Sequence, residues 1–391
     1  MIIYIISFFI SCILLQIASK MKKNNILYYI INGIAILIPC ILAGLRNTTI
    51  GTDVEVYVRQ LFDSAKISDN YFEYQHCSWW WIYRVKAVSD FEEAFTLVIF
   101  VVQKLTNNIQ IVLFIIQLLI IFPIYCGLKK VDCIKNKKYL SMFVYYFSFF
   151  NIGLNTMRQY IAISIIFYGT SSLMYDKKYL GTIKFFISLA IAYYFHNSSV
   201  FCILIYLIYR ILNFNDKKEI IIKVNNKVKI KLKTIVVVFS VFISIFLILN
   251  ANIFIKVFSF LGIKDYTGWS SGQVTFMISK IIRTIPIVII FIISGKYYIK
   301  QDKNSYMYII LFIMSVAFAQ FASASTYGER MSYIFQIFNI VFVPSLCYAN
   351  PNKNINIVVK IFIMLYYVLY WYYYFAYGNS GETVPYKFYW Q

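Results

Sequence analysis

The sequence predicts an all-α, polytopic membrane fold of about 12 transmembrane helices with one long outer loop. Three observations predict it. Apolar residues make up 61% of the 391 and charged residues only 14%, far from the balance of a soluble globular domain. The apolar residues fall in runs of roughly 18–22, long enough to cross about 30 Å of hydrocarbon as helices. The basic residues then collect in alternate loops, the asymmetry that orients such helices in a bilayer.

Spans are expected at 1–19, 26–43, 109–127, 139–153, 158–175, 180–196, 198–213, 234–250, 274–294, 306–324, 330–348 and 355–375. The first run, IIYIISFFISCILLQIAS, has no basic region ahead of it, and Lys20, Lys22 and Lys23 follow it. That order suits an uncleaved helix with its N-terminus outside rather than a signal peptide. Placing those lysines inside fixes every later loop. The inner loops then carry 22 of the 37 Lys and Arg, most heavily in the basic loop 213–233, and both termini lie outside. This topology accounts for the net charge of +21 without nucleic acid as a partner, and the basic loop reads as a determinant facing anionic lipid.

The outer loop 44–108 holds FEEAFTLVIFVVQKL (91–105), too short to span and read as an interfacial or re-entrant helix. The many Tyr and Trp, Trp79–Trp81 and YWYYYFAY among them, belong mainly to the interfacial aromatic belt, with sugar-stacking platforms as a minority use. The seven cysteines lie mostly in apolar runs and show no disulfide framework and no metal-ligand spacing. The chain reads as one domain, 1–391, with no internal repeat and no Gly-rich phosphate loop. Its tail, GETVPYKFYWQ, falls outside, where it can cover a site.

Chemistry is signalled by the split between lysine and arginine. There are thirty Lys and seven Arg, and only Arg210 lies in an inner loop. A lysine suffices as a point charge for topology, whereas a two-pronged grip on phosphate or carboxylate needs the planar fork of arginine. Eight of the 16 acids sit in the outer loop, so charges of both signs gather on one side of the membrane, as a polar substrate requires.

Four stretches and one pair within the ninth span carry the candidates. In LRNTTIGTDVEVYVRQLF (45–62), Arg46 ends the second span, Gly51 permits a tight backbone, and Thr52 or Asp53 can cap the helix that follows. The alternative is that Asp53 is only that cap and Arg46 only snorkels. In NTMRQYIA (155–162), Arg158 and Gln159 open a helix whose N-terminal end favours anions; snorkelling is again the alternative. FHN (195–197) is a tight outer turn carrying His196, either a hydrogen-bonded structural residue or an acid/base group. YGERMSY (327–333) places Glu329 and Arg330 at an outer junction, with a surface ion pair as the bland reading. Arg283 lies about ten residues into the ninth span, with Lys280 on its face. A charge at such depth faces a cavity or a partner.

These stretches, in this order, resemble the motifs of the EpsG-like family of exopolysaccharide and O-antigen polymerases (Wzy-type). Members carry an arginine, then GTD or GxD, then a tyrosine after the second span, matched here by Arg46, Gly51–Asp53 and Tyr57. The resemblance extends to the Arg158–Gln159 pair, the FHxS turn (Phe195, His196, Ser198), and Arg330 with Tyr333. It covers most of the chain and implies a GT-C-like, multi-span glycosyltransferase of the bacterial plasma membrane. Such an enzyme moves a glycan from undecaprenyl diphosphate to a lipid-linked repeat unit on the outer face, with no cofactor and no metal. It implies as partners the undecaprenyl-diphosphate-linked donor and acceptor, membrane lipids, a chain-length regulator and a flippase. A glycosyl transfer needs a base for the acceptor hydroxyl and cations for the departing diphosphate. Asp53 is the first candidate for the base or acceptor-orienting group and His196 the second. Arg46, Arg158, Arg283 and Arg330 are candidates for the diphosphates. Gly51, Thr52, Tyr57, Gln159, Lys280, Glu329 and Tyr333 support them. Two other readings stay open: an O-antigen-type ligase or other lipid-linked glycosyltransferase sharing the donor, and a flippase or transporter of lipid-linked oligosaccharide. The latter class tends to show repeat symmetry, which is not seen in this sequence.

Overall fold

A computed structural model describes residues 1–21, 25–82, 84–134, 136–213, 221–224, 228–249, 276–323 and 326–391. Lys22, Lys23, residues 214–220 and 225–227 of the basic loop and the start of the ninth expected span lie outside the described residues. The chain divides into two compact units, Met1–Val200 with Met364–Gln391, and Phe201–Ile363.

Helix stands at each of the 12 positions where a span is expected. Among the described residues, five helices are long and apolar enough to cross a membrane: Ile2–Ser19, Ile26–Gly44, Ile109–Lys130, Ser305–Ser323 and Lys353–Tyr377. A sixth follows if Glu329–Gln336 and Asn339–Cys347, bent by 48°, count as one span. These are the helices of an integral membrane protein. The other expected positions are shorter, more polar or interrupted. The ninth, expected unbroken, divides into Ile278–Ile282 and Ile285–Gln301. Pro286 lies in the first turn of the second piece, where a missing N–H does no harm. Arg283 therefore caps a short helix rather than sitting inside a long one.

In the first unit, α1 (Ile2–Ser19) packs on α2 (Ile26–Gly44), and α2 on α6 (Ile109–Lys130). Asn25 caps α2 and Asn108 caps α6, each side chain accepting from a first-turn N–H at 2.9 Å. Between α2 and α6 run α3 (Arg59–Ile67), α4 (Tyr71–His76), the hairpin β1 (Ser78–Trp81) and β2 (Arg84–Ala87), and α5 (Glu93–Thr106). The antiparallel hairpin pairs Trp79 with Lys86 and Trp81 with Arg84, strand structure the all-α reading did not anticipate. Asn107 ends α5 in the left-handed region (φ 47°), which turns the chain straight into α6.

Next come α7 (Lys138–Tyr145) and α8 (Asn151–Asn155), joined by a π turn over Tyr146–Phe150, then α9 (Met157–Tyr175) and α10 (Lys178–Phe195). Small residues let α9 and α10 approach: a Cβ on Gly169 would lie 2.6 Å from the Ser188 Cβ. At one end of the unit, Asp176 accepts from Lys130 at 2.8 Å and Lys184 at 2.7 Å. The end of α2, the α8–α9 junction, the start of α5, the end of α10 and the C-terminal tail meet through the contacts described below. These are the segments that the loop charges assign to the outside.

The tail is sewn down. The Trp371 indole donates to Asn151 Oδ1 (2.7 Å), and Asn151 Nδ2 donates to the Thr383 hydroxyl (2.8 Å). The Tyr4 hydroxyl reaches the Thr383 carbonyl (2.9 Å), and that of Tyr386 the Leu42 carbonyl (2.7 Å). A short ladder then closes over the end of α2, with Asn47 N–H on the Lys387 carbonyl and Tyr389 N–H on the Leu45 carbonyl, both 2.9 Å. Arg46 and Phe388 face each other in it.

Candidate functional site

Gly51 seats the loop after α2 directly against the α8–α9 junction. Its φ is +90°, and a Cβ there would lie 3.0 Å from both the Leu154 carbonyl and the Asn155 side-chain oxygen. Glycine meets both demands. The Thr52 hydroxyl reaches Asn155 Oδ1 at 3.4 Å, and a π turn over Val54–Val58 leads into α3. Asp53 stands at the head of that turn, yet its side chain caps nothing. Its carboxylate accepts from the Tyr57 hydroxyl at 2.5 Å instead. Burial, then the Asp53 charge, raises the Tyr57 hydroxyl well above its ordinary value, so it remains a donor.

Arg158, in the first turn of α9, does not snorkel. Its guanidinium lies over the rings of Tyr57 and Phe91, 5.0 Å from each, and Nη1 donates to Glu92 Oε2. The other oxygen of Glu92 is 3.1 Å from Nδ1 of His196, the residue that ends α10. Glu92 is 8% exposed and occupies the N-cap position of α5, at the positive end of the helix dipole. Burial alone would raise its carboxyl, but the hydrogen bond to His196 and the Arg158 charge hold it down at about 2. Trp79 stacks on Phe91 (5.9 Å, 13°) and ties the hairpin to the cluster. Lys86 sits with its ammonium over Trp81 at 5.6 Å. Burial, then Arg84 and Arg158, lowers that ammonium against the pull of Asp53 and Asp90.

Arg46 is 1% exposed. Its Nη2 donates to the Leu154 carbonyl at 3.4 Å, with Met157 Sδ at 3.9 Å. Nε and Nη1 are buried with no hydrogen-bond partner among the described residues. Burial lowers its pKa to about 10, opposed by Tyr4, Tyr386, Asp53 and Tyr57, so it stays charged at neutral pH. This is a guanidinium held under the tail, not one snorkelling to headgroups.

The first unit thus brings together Arg46, Gly51, Thr52, Asp53, Tyr57, Arg158 and His196, with Gln159 buried beside Arg158 in the first turn of α9. The remaining candidates belong to the second unit. There Lys280 donates to Glu329, so Glu329 is engaged across helices. Tyr333 is buried in the helix that carries Arg330. No group of three His, Cys, Asp or Glu comes together in a way that could hold a metal among the described residues.

Sequence reasoning passed over Glu92, Lys86, Asn151 and Asn155. Glu92 had one usable signal: a Glu-Glu pair ahead of an apolar helix marks an N-terminus. The family model described as "EpsG family" matches residues 28–388. No curated protein and no solved structure matches the chain.

Proposed function

The chain belongs to the EpsG family, whose members are Wzy-type polymerases, and from that premise we propose that it lengthens a bacterial polysaccharide. In this reading a glycan carried on undecaprenyl diphosphate is transferred to a hydroxyl of a lipid-linked repeat unit on the outer face of the plasma membrane. The acceptor oxygen bonds to the anomeric carbon as the bond to the diphosphate oxygen breaks, and the electron pair leaves with the diphosphate. Diphosphate is a good leaving group once its charge is met, so cations and a base are what the protein must supply.

The observation that carries the reading is Arg46. A buried guanidinium with two unpartnered nitrogens is costly to keep, and a diphosphate oxygen pair matches its fork. Access requires the tail ladder over residues 45–47 to lift. Arg158 adds to the positive field, and Asp53 and His196 handle the acceptor; Arg283 and Arg330, which belong to the second unit, are proposed separately as diphosphate-binding residues. The wider architecture we propose is GT-C-like, with 12 spans and both termini outside. It is supported by the meeting, in the first unit, of the segments that the loop charges place outside. A flippase that delivers repeat units and a chain-length regulator are the proposed partners.

Deleting the gene and sizing the glycan tests this. A strain that displays single repeat units supports the polymerase. Long lipid-linked chains left unattached would assign a ligase instead, and a normal glycan would remove both readings.

A further inference from the structure

Glu92 joins two functional candidates, with one oxygen on Arg158 and the other on His196. We infer that Glu92 is a positioning residue: it holds the His196 ring with its proton on Nδ1, and so leaves Nε2 as the base that takes the acceptor hydroxyl proton. The inference rests on the glycosyl-transfer reading above.

The geometry decides the tautomer. A carboxylate bridging an arginine and a histidine has only acceptor oxygens, so the hydrogen in the 3.1 Å contact sits on Nδ1. Nε2 makes no hydrogen bond among the described residues, and the His196 side chain is 27% exposed. In the neutral ring the lone pair is then on Nε2, on a part-exposed side chain that shares Glu92 with Arg158.

Both backbones are held. His196 closes α10 in extended conformation, its N–H on the Ala192 carbonyl and its own carbonyl accepting from Ser199 N–H, each at 2.9 Å. The Glu92 carbonyl accepts from Phe95 and Thr96 N–H at 3.1 and 3.2 Å. Only the imidazole torsions remain free, and the carboxylate takes them up. Asp53 suits the base role less well, because one of its oxygens already holds the Tyr57 hydroxyl. It orients the acceptor.

In the step itself, the acceptor oxygen bonds to the anomeric carbon and the diphosphate departs with the electron pair of the broken bond. The hydroxyl proton passes to Nε2, and from the imidazolium to water. Glu92 stays ionised throughout and stabilises the imidazolium, without taking the proton.

The chain has two histidines, His76 and His196, so nitrogen NMR of 15N-histidine-labelled His76→Gln protein reports on His196 alone. The expected spectrum is that of a ring protonated on Nδ1 with Nε2 bare. Glu92→Ala should lose that preference. In membranes supplied with lipid-linked repeat units from the deletion strain, it should also slow elongation about 100-fold. In Glu92→Gln the side chain can accept from Nδ1 or donate to it, and the rate should follow the tautomer it imposes. This variant keeps the question answerable if Glu92→Ala fails to fold. Protonation on Nε2 in the native ring, normal elongation by Glu92→Ala, or a Gln variant whose rate and tautomer part company would each overturn the proposal. If gene deletion shortens the glycan while Glu92→Ala leaves it long, only the role of Glu92 falls. If deletion changes nothing, the polymerase reading falls first.

Discussion

Replacing Arg46 by methionine should make the protein more stable and stop it working. Burial pulls this guanidinium from an ordinary value of about 12.5 to about 10, which corresponds to about 3 kcal/mol against the charged form. At neutral pH the group is charged folded and unfolded, so the whole penalty is present there; it is relieved only above pH 10. Counting donors gives a similar figure: Nε and Nη1 are both buried without partners, at about 1–3 kcal/mol each. Methionine is unbranched and fills much of the same space, with about 1 kcal/mol lost to the gap left behind and to the long bond with the Leu154 carbonyl. The net gain is about 2 kcal/mol, or a rise of about 4–8 °C in melting temperature for a unit of this size. Tryptophan-fluorescence melting in detergent reads the first quantity and glycan length in cells the second. Arg46→Lys keeps the charge without the fork, so it should recover neither stability nor elongation. A methionine variant melting several degrees below the native protein would make Arg46 a structural residue. Normal-length glycan from that variant would remove it from the site.

Three further outcomes follow from the same geometry. Because the Glu92 carboxyl is held at about 2, below its ordinary ~4.3, its pairing stabilises the fold above that ordinary value and fades as pH falls toward 2. The melting gap between native and Glu92→Gln protein, worth up to about 3 kcal/mol, should therefore narrow from pH 6 to pH 3; parallel curves would contradict the pairing. Asn47 and Lys387 lie opposite each other in the tail ladder, within disulfide reach. Cysteines at both positions should lock the tail and halt elongation until a reductant is added, and unimpaired turnover in the oxidised protein would show that the tail need not lift. A cysteine at position 53 should react with an impermeant thiol reagent applied to intact cells, whereas labelling only after the membrane is breached would reverse the proposed orientation.

Much of the fold was legible because it depends on local quantities. Twelve apolar runs are each met by helix, since hydrocarbon burial is decided by how many apolar residues stand in a row. Pro286 marks where the ninth run breaks, a signal that run length alone does not use. Arg46, Asp53, Arg158 and His196 stood out because each interrupts an apolar pattern at some cost. Their engagements did not: the sequence left open whether Asp53 is only a cap and whether Arg46 and Arg158 only snorkel, and the fold sets Asp53 on a tyrosine, buries Arg46 and stacks Arg158.

Run length and charge order by themselves determined that this chain lives in a membrane, where its helices lie, and which residues are too polar to be idle. What the tertiary structure alone decided is who meets whom. Glu92 finds Arg158 66 residues away and His196 104 residues away, and the tail covers Arg46 from the far end of the chain. Hydrophobic periodicity is written within a few turns of helix, whereas a hydrogen bond between distant segments depends on every packed helix in between.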